Sequence, residues 1–381
     1  MFTYSVVMPC LNEELTLEMC IEEAKSGARD SGHEAEIIIA DNGSTDESVN
    51  IAERLGCIVV KVETRGYGAA LDAGIRSATT PYVVMGDSDF SYNFNDAPKF
   101  VAELIRGADV VIGNRFVGGI EDGAMPWHHK YIGNPVLSAL GRIFFRIPVS
   151  DFHCGLRAVR QAKYLEASPT TSGMEFATEM IARLANIQAT FVEIPTKLRK
   201  DRRNRKPHLR SFPDGWRHLK MMLLFSPEFF QLYPGLLLTL IGSFGIASLA
   251  ITGQINLLFA SGSIQTSLFA LVSFTVGLQL AAASFITMAV ANAKAITRFK
   301  PWKKIERVVI SATFFWISCS LVIFGIVTLL GIGGSWLQSN FPSVDPFQQT
   351  RKTIPLIAIV IAGVQGLICS IQVRQVLSKF W

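Results

Sequence analysis

Short apolar runs alternate with amphipathic stretches along the first half of the chain. The runs are rich in Val and Ile, which predicts buried strands, and the stretches between them repeat apolar positions at helical spacing. The predicted strands are Ser5–Met8, Glu36–Ala40, Ile58–Val60, Tyr82–Met85, Asp109–Ile112 and Thr190–Ile194. Apolar strands that alternate with helices are typical of a mostly parallel, Rossmann-like sheet covered on both faces. We therefore expect one α/β domain over residues 1–210.

After Tyr233 the pattern changes to apolar stretches of about 20 residues, which is long enough to cross a bilayer. The predicted spans are 234–251, 267–290, 308–332 and 354–371. They predict an all-α membrane domain of four transmembrane helices over residues 233–381. Between the two domains, residues 211–232 mix basic, aromatic and apolar positions at helical spacing, as expected of an amphipathic helix in the membrane interface.

The charges predict how the chain is oriented in the membrane. The loop between the second and third spans carries Lys294, Arg298, Lys300, Lys303, Lys304 and Arg307, whereas the first loop carries no charge. By the positive-inside rule, the basic loop and both termini face the cytoplasm, and so does the α/β domain. A net charge of +5 and a mean hydropathy of +0.32 agree with a soluble part joined to an apolar part. We expect an integral protein of the cytoplasmic membrane.

The strongest chemical signal follows the strand Tyr82–Met85, which ends at Gly86 and leads into Asp87 and Asp89. This order places two carboxylates at the carboxyl edge of the sheet, where open α/β sheets bind ligands. Two carboxylates suit Mg²⁺ or Mn²⁺, which completes its shell with substrate phosphates. A solvated acidic loop that caps the next helix would show the same local pattern. The residues in the neighbouring loops are therefore needed to choose between a metal site and such a loop.

Polar loops also follow the first two strands, at Pro9–Glu14 and Asp41–Asp46. Each suits an ordinary strand-to-helix turn, but three such loops at one edge favour a nucleotide site. Asp41 would accept a base imide N–H, Glu14 would bind ribose hydroxyls, and a metal on Asp87 and Asp89 would hold the diphosphate. The loop at Gly66 lacks the last glycine of the dinucleotide fingerprint. We expect it to approach the nucleotide with its backbone, simple turn formation being the alternative.

The ordered motifs resemble those of family-2 glycosyltransferases of the GT-A fold, and more narrowly the polyprenyl-phosphate glycosyltransferases. That group includes dolichol-phosphate mannose synthases and bacterial undecaprenyl-phosphate glucosyltransferases. The resemblance covers about residues 4–225 and rests on Pro9-x-x-Asn12-Glu13-Glu14, Asp41–Asp46, Arg65-Gly66-x-Gly68, Asp87-Ser88-Asp89, Gly113-Asn114-Arg115, Asp151-x-x-Cys154-Gly155 and Glu193-Ile194-Pro195. It implies a nucleotide-sugar donor, a divalent metal and inverting transfer.

By position, the resemblance implies a role for each site residue. The nucleotide site would comprise Pro9, Asn12, Glu14, Asp41, Gly66 and Asp87. The metal ligands would be Asp87, Asp89 and Ser91, the last at a position where some relatives have glutamine. The catalytic set would be Asp89, Arg115 near the phosphates and Asp151 near the sugar. The chain departs from the pattern at Trp127–Lys130, where relatives often carry arginines, and residues 197–210 are more basic than usual.

An acceptor lipid phosphate is already ionised at neutral pH, so its attack on a sugar needs charge neutralisation more than a general base. We expect the acceptor phosphate to be held by some of Arg199, Arg202, Arg203 and Arg205. The remaining basic residues of this segment would attract anionic membrane lipids.

The sequence therefore predicts transfer of a hexose from a nucleotide sugar of the UDP-glucose or GDP-mannose type to polyprenyl phosphate. One alternative is another lipid or a polysaccharide as acceptor. A transporter or channel with a nucleotide-sensing domain is disfavoured because the predicted spans contain no charged residue or histidine. Nucleic-acid binding is disfavoured because the basic run lacks interleaved aromatic residues. A homo-oligomer is compatible with the sequence.

Overall fold

The structure, a computed structural model, describes residues 3–202, 211–252, 256–257, 260–261, 264–293, 302–339 and 345–378. The chain forms two compact units, Met1–Met222 and Leu223–Trp381. The division falls inside the segment 211–232, which the sequence predicted to join the two domains.

The first unit contains a seven-stranded sheet. Its strands are β1 (Tyr4–Cys10), β2 (Ala35–Asp41), β3 (Ile58–Lys61), β4 (Tyr82–Met85), β5 (Val110–Asn114), β6 (Arg157–Arg160) and β7 (Phe191–Pro195). Their order across the sheet is β3-β2-β1-β4-β6-β5-β7. Val6, Val7 and Met8 of β1 are all fully buried, and since neighbouring side chains on a strand point to opposite faces, both faces of the sheet are covered.

Strand β6 alone runs antiparallel, to β4 on one side and β5 on the other, and the remaining pairs are parallel. The predicted mostly parallel sheet is therefore confirmed, with one reversal that no sequence pattern indicated. The reversal has a consequence for the site. Arg157 at the start of β6 pairs with Met85 at the end of β4, so the residues that precede β6 lie at the same edge as the residues that follow β4.

Helices alternate with or follow these strands, and the last of them continues past the boundary of the first unit. They are α1 (Leu17–Asp30), α2 (Ser48–Arg54), α3 (Tyr67–Ser77), α4 (Ala97–Ile105), α5 (Arg115–Gly118), α6 (Asn134–Phe145), α7 (Gln161–Ala167), α8 (Phe176–Asn186) and α9 (Ser211–Phe225). Helix α1 contacts α2 and α4, and α3 contacts α7 and α8. A 3₁₀ turn at Phe94–Asp96 leads into α4, and a π-helical turn at His129–Gly133 leads into α6.

The second unit is built from long helices. They are α10 (Tyr233–Thr252), α11 (Ile264–Ala293), α12 (Trp302–Val309), α13 (Ala312–Gln338) and α14 (Pro346–Ser378), with a π-helical turn at Glu228–Leu232 and a short hairpin of β8 (Asn256–Leu257) and β9 (Ala260–Ser261). Helix α11 packs against α10 and α14, and α14 also packs against α13.

Among the residues that the structure describes, four helices of this unit are long and apolar enough to cross a membrane: Glu228–Thr252, Ile264–Asn292, Ala312–Gln338 and Pro346–Ser378. Large apolar side chains such as Trp316, Ile323 and Leu330 stay exposed on α13, as expected of a surface that faces lipid. These features indicate membrane association. The predicted third span began too early, at Val308, because Ser311 caps α13 by accepting a hydrogen bond from Phe314 N at 3.1 Å.

Candidate active site

The loops that carry the sequence motifs meet at one edge of the sheet. Strands β1, β2, β4, β5 and β7 all end there, and the loop before β6 arrives at the same edge. The strand order reverses between β1 and β4, which is the place where open α/β sheets form a ligand crevice. Two side-chain hydroxyl groups connect the loops that follow these strands, since Ser88 Oγ donates to Pro9 O at 2.7 Å and Thr16 Oγ1 donates to Ser88 O at 2.7 Å.

The candidate nucleotide loops hold one another in place. Asn12 adopts a left-handed backbone (φ 59°), and its Oδ1 accepts from Thr45 N at 2.7 Å. Asp41 is buried, and its two carboxylate oxygens accept from Gly43 N at 3.2 Å and Ser44 N at 3.0 Å. A carboxylate oxygen accepts more than one hydrogen bond. Asp41 therefore retains acceptor capacity for a base, and the predicted contact remains a prediction.

Glu14 is exposed at the rim of this crevice. Its Oε2 accepts a hydrogen bond from Glu47 N at 3.1 Å, and its own backbone N–H donates to Asp46 Oδ2 at 3.1 Å. The side chain thus binds the backbone N–H just before α2. A ribose contact by Glu14, as predicted, would have to share this carboxylate with the helix start.

Gly66 makes its close backbone approach to another part of the protein. With φ at 141°, a Cβ at this position would lie 2.1 Å from Ser172 O, so only glycine fits. Asn42 fixes the same loop, because its Oδ1 accepts from Gly66 N at 2.7 Å and its Nδ2 donates to Thr64 O at 2.8 Å. The observed approach is to Ser172, whereas the expected approach was to a nucleotide. The nucleotide role of Gly66 remains a prediction.

Asp87 and Asp89 lie just beyond β4, with Asp89 buried. Asp89 Oδ1 accepts from Ser91 N at 3.0 Å and from the Ser91 hydroxyl, which brings two of the three predicted metal ligands together. Asp87 is hydrogen-bonded by Tyr67, and burial and this carboxylate raise the pKa of the Tyr67 hydroxyl well above its usual range. A Cβ at Gly155 would lie 2.7 Å from Asp87 Oδ2, so glycine there leaves room for the carboxylate.

This donor set fits a hard divalent cation. It offers only oxygen atoms, from two carboxylates and one hydroxyl, and Mg²⁺ or Mn²⁺ takes its remaining ligands from substrate phosphates and water. Within the described parts of the chain, no group of three or more His, Cys, Asp or Glu side chains is placed to hold a metal by itself. A cation bound here would complete its coordination shell with oxygen atoms of water and of the substrate.

Arg115 and Asp151 form a buried, bidentate ion pair. Arg115 Nε and Nη2 each donate to Asp151 at 2.7 Å, and Arg115 N donates to the same carboxylate at 2.9 Å. Burial alone would lower the pKa of Arg115, but Tyr92 and the Asp151 carboxylate raise it, so the guanidinium stays charged. Glu193 Oε1 accepts from Asp151 N at 2.8 Å and thereby fixes the backbone at Asp151. The structure brings the two predicted catalytic residues together, and their roles toward substrate remain predictions.

Several residues that support the site were not predicted. Tyr67 and Asn42 lie within motifs that the sequence displayed, so their positions could have been found. Arg157 gave no local signal: it is buried and donates to three backbone carbonyls, those of Cys154, Phe152 and Ala177, at 2.6–3.0 Å. It thereby fixes the loop between Asp151 and β6.

Two of the four predicted acceptor arginines are described. Arg199 and Arg202 follow β7 and lie beside the Asp89–Ser91 loop, where both guanidinium groups stack on the ring of Phe90 at 4.5 Å from its centroid. Arg203 and Arg205 lie outside the described residues. The predicted basic segment is thus adjacent to the candidate metal ligands, which its position in the sequence did not indicate.

Two histidines, His153 and His218, pack against each other near Asp151. The ring centroids of His153 and His218 lie 4.7 Å apart, and His218 Nδ1 is 2.7 Å from Thr178 Oγ1. Burial lowers the pKa of His218 to about 4, and burial and His218 lower the pKa of His153 well below its usual range. Both rings are therefore neutral at pH 7 in the folded protein.

The lowered pKa values of these two histidines predict that the free energy of unfolding decreases in acid. An unfolded histidine titrates near pH 6.5, so the unfolded state binds protons first as the pH falls from 6.5 toward 4. We expect the wild type to lose about 2–3 kcal/mol through His218 over this range. His218→Asn, which retains a polar partner for Thr178, should flatten the dependence of the unfolding midpoint on pH. Equal slopes for the two proteins would contradict the assignment.

Comparison with known proteins agrees with this geometry. The sequence profile of glycosyl transferase family 2 matches residues 5–166. The chain is 37% identical over 241 residues to the low-salt glycan biosynthesis hexosyltransferase Agl6 of Haloferax volcanii, covering 63% of this chain and 58% of Agl6. It is 30% identical over 195 residues to a dolichyl-phosphate hexose transferase of the same organism, covering 51% of this chain and 82% of that relative.

Among solved structures, the fold resembles glucosyl-3-phosphoglycerate synthase from Mycobacterium tuberculosis, with a TM-score of 0.46 and 24% identity over 58% of this chain and 79% of that one. A mostly parallel sheet with polar loops at one edge, followed by apolar helices, is the arrangement expected of a membrane-associated GT-A domain. The chain belongs to glycosyltransferase family 2. It spans little more than half the length of Agl6.

Proposed function

We propose that this protein transfers a hexose from a nucleotide sugar to a polyprenyl phosphate and inverts the anomeric carbon. The observation that carries the proposal is the meeting, at one sheet edge, of the Asp87–Ser91 loop, the buried Arg115 and the basic residues after β7. An anionic donor and an anionic acceptor need such positive charge between them. A relative that is a dolichyl-phosphate hexose transferase supports the choice of acceptor.

The donor would lie across the switch point between β1 and β4. The base and ribose would face Asn12, Glu14 and Asp41, and the diphosphate would lie over Asp87 and Asp89. UDP-glucose and GDP-mannose are the donor types that we propose. A divalent cation, Mg²⁺ or Mn²⁺, would be held by Asp87, Asp89 and Ser91 and would supply charge neutralisation for the leaving diphosphate.

The reaction is a single displacement. An oxygen of the lipid phosphate forms a bond to the anomeric carbon while the bond from that carbon to the donor diphosphate breaks, and the nucleoside diphosphate leaves with the electron pair. No proton has to be removed from the acceptor, because a phosphate monoester is ionised at neutral pH. The protein therefore has to orient both anions. We assign this task to an arginine after β7 and to Arg115, whose Nη1 is not part of its pair with Asp151.

The place of the reaction follows from the second unit. Its four apolar helices would anchor the chain and keep the prenyl tail in the bilayer. The basic residues between the second and third spans favour a cytoplasmic position for that loop, both termini and the catalytic unit, by the positive-inside rule.

The test is a turnover assay on the full-length protein in detergent. Purified protein is incubated with undecaprenyl phosphate, Mn²⁺ and, in turn, each of a panel of radiolabelled nucleotide sugars. We expect one donor to yield a labelled lipid that extracts into organic solvent and that disappears when EDTA is added. Measurable binding of a donor without any labelled lipid would overturn the polyprenyl phosphate acceptor, and glycolipid and polysaccharide acceptors would then be tested.

A further inference from the structure

The segment Thr196–Arg202, called the strap below, joins two loops at the sheet edge. On one side Leu198 N donates to Gly119 O at 2.9 Å, and Glu121 N donates to Leu198 O at 2.9 Å. On the other side Arg199 N donates to Ser91 O at 2.8 Å, and Arg202 N donates to Asp89 O at 3.4 Å. The strap backbone is therefore bonded directly to the loop that carries the candidate metal ligands.

Phe90 connects the strap to this loop through its side chain. It lies between Asp89 and Ser91 with φ at 69°, a left-handed conformation that a bulky residue adopts only where its surroundings impose it. The guanidinium groups of Arg199 and Arg202 both lie 4.5 Å from the centroid of its ring. Cation–π attraction to two arginines thus favours the backbone turn that holds Asp89 next to Ser91.

The two arginines differ in their other partners. Arg199 forms a bidentate pair with Glu23 of α1, with nitrogen-to-oxygen distances of 2.8 and 3.2 Å, and Glu23 Oε2 also accepts from Phe94 N at 3.1 Å. The Arg202 side chain is exposed and reaches Met19 Sδ at 3.7 Å. In the portion of the chain that the structure describes, no carboxylate lies within ion-pair distance of the Arg202 guanidinium.

From these contacts we propose that the two strap arginines have separate tasks. Arg199, with its charge matched by Glu23, is a positioning residue that holds the Asp89–Ser91 loop in its metal-binding shape. Arg202, whose guanidinium is exposed beside the same loop, binds the phosphate of the lipid acceptor. Glu23 and Phe90 then belong to the positioning group with Arg199. The acceptor part rests on the acceptor proposed above, and the positioning part rests only on the metal site proposed there.

The same geometry explains why the tasks are separated. A guanidinium that already forms two charge-assisted hydrogen bonds to a carboxylate would have to lose them before it could bind a phosphate in the same bidentate way. Arg202 has no such pair to break within the described residues. Because both guanidinium groups contact Phe90, the acceptor phosphate on Arg202 would be held next to the metal-binding loop.

Two binding measurements on the full-length protein in detergent separate these tasks. The first is the affinity for Mn²⁺ alone, read from the loss of the free-ion signal in electron paramagnetic resonance. We expect Arg199→Met and the nearly isosteric Glu23→Gln to weaken Mn²⁺ binding by about tenfold, the usual scale for residues that orient metal ligands. Arg202→Met should bind Mn²⁺ as the wild type does. Glu18→Gln, which removes the exposed Arg54 pair from the same helix α1, is the matched control and should change nothing.

The second measurement is equilibrium binding of radiolabelled undecaprenyl phosphate, with no donor and hence no turnover. Arg202→Met should weaken it by at least about tenfold, as expected for loss of hydrogen bonds to a charged group. Glu23→Gln should leave it unchanged.

Two results would overturn the positioning part: wild-type Mn²⁺ affinity in both Arg199→Met and Glu23→Gln, or equal Mn²⁺ losses in Arg199→Met and Arg202→Met. Wild-type lipid binding in Arg202→Met, or no lipid binding by the wild type, would overturn the acceptor part. If the wild type binds the lipid yet produces no labelled product, the proposed transfer reaction is wrong. The roles of Arg199 and Arg202 are still tested in that case, because both binding measurements are made without turnover.

Discussion

Asp89→Asn is expected to reduce turnover by about 10²–10³-fold, the scale seen when one electrostatic stabiliser is removed from an active site. Asparagine has nearly the same shape and still accepts a hydrogen bond from Ser91 N, which lies 3.0 Å from Asp89 Oδ1 in the wild type. It lacks the negative charge that a divalent cation requires. The measurement is the initial rate of labelled lipid formation at saturating Mn²⁺, together with the unfolding midpoint to show that the fold is retained.

Asp122→Asn provides the control for this substitution. Asp122 is an exposed carboxylate in the loop after α5, so its neutralisation changes the net charge equally without touching the Asp89–Ser91 loop. We expect its turnover to equal that of the wild type. Full activity in Asp89→Asn would contradict the assignment of Asp89 as a metal ligand, and equal losses in both variants would point to a general charge effect.

The placement of the polar loops at one edge of the sheet was predictable, because it depends on local patterns of apolar and polar residues. The run Val83–Met85 ends at Gly86, and the polar residues after such a run must leave the sheet at its carboxyl edge. The same holds for Asp41 at the end of β2 and Arg115 directly after β5. The GT-A fold, the Asp87–Asp89 loop and the four apolar helices were therefore all expected, and the structure and comparisons confirm the fold and the family.

Partners that are distant in sequence were not predictable in the same way. Arg199 and Glu23 are separated by 176 positions, and Tyr67 contacts Asp87 from the start of helix α3. Neither pair leaves a periodic or compositional trace, since each side chain alone looks like an ordinary surface residue. The antiparallel direction of β6 was missed for a similar reason: a strand of four residues carries no sign of its direction.

The motif residues also show why a polar loop is ambiguous from sequence. Asn12 accepts from a backbone N–H of the neighbouring loop, and Asp41 accepts from two backbone N–H groups of its own loop, as turn-forming residues would. The same contacts fix the shape of a crevice that a nucleotide would need. Structural and binding roles are thus compatible in one residue, and only variants that separate stability from activity can divide them.

Asp151 offers such a separation, and Asp151→Ala is expected to destabilise the protein by about 3–5 kcal/mol. The substitution would leave the buried Arg115 guanidinium without the carboxylate that accepts its Nε and Nη2 at 2.7 Å. The Asp151 side chain is 0% exposed, so water cannot replace the lost partner. The measurement is the midpoint of unfolding of the full-length protein in detergent. Glu166→Ala, which removes the exposed pair with Lys163, should cost no more than about 1 kcal/mol.

A double variant decides whether Asp151 acts only through Arg115. Arg115→Met with Asp151→Leu removes both charges and replaces them by apolar side chains, which should restore much of the lost stability because no buried charge is left unpaired. Its turnover should stay low, since Arg115 would no longer neutralise the phosphates. If Asp151→Ala instead unfolds at the wild-type midpoint and loses only activity, its carboxylate would be acting on the substrate itself. The buried pair with Arg115 would then have to open during the reaction.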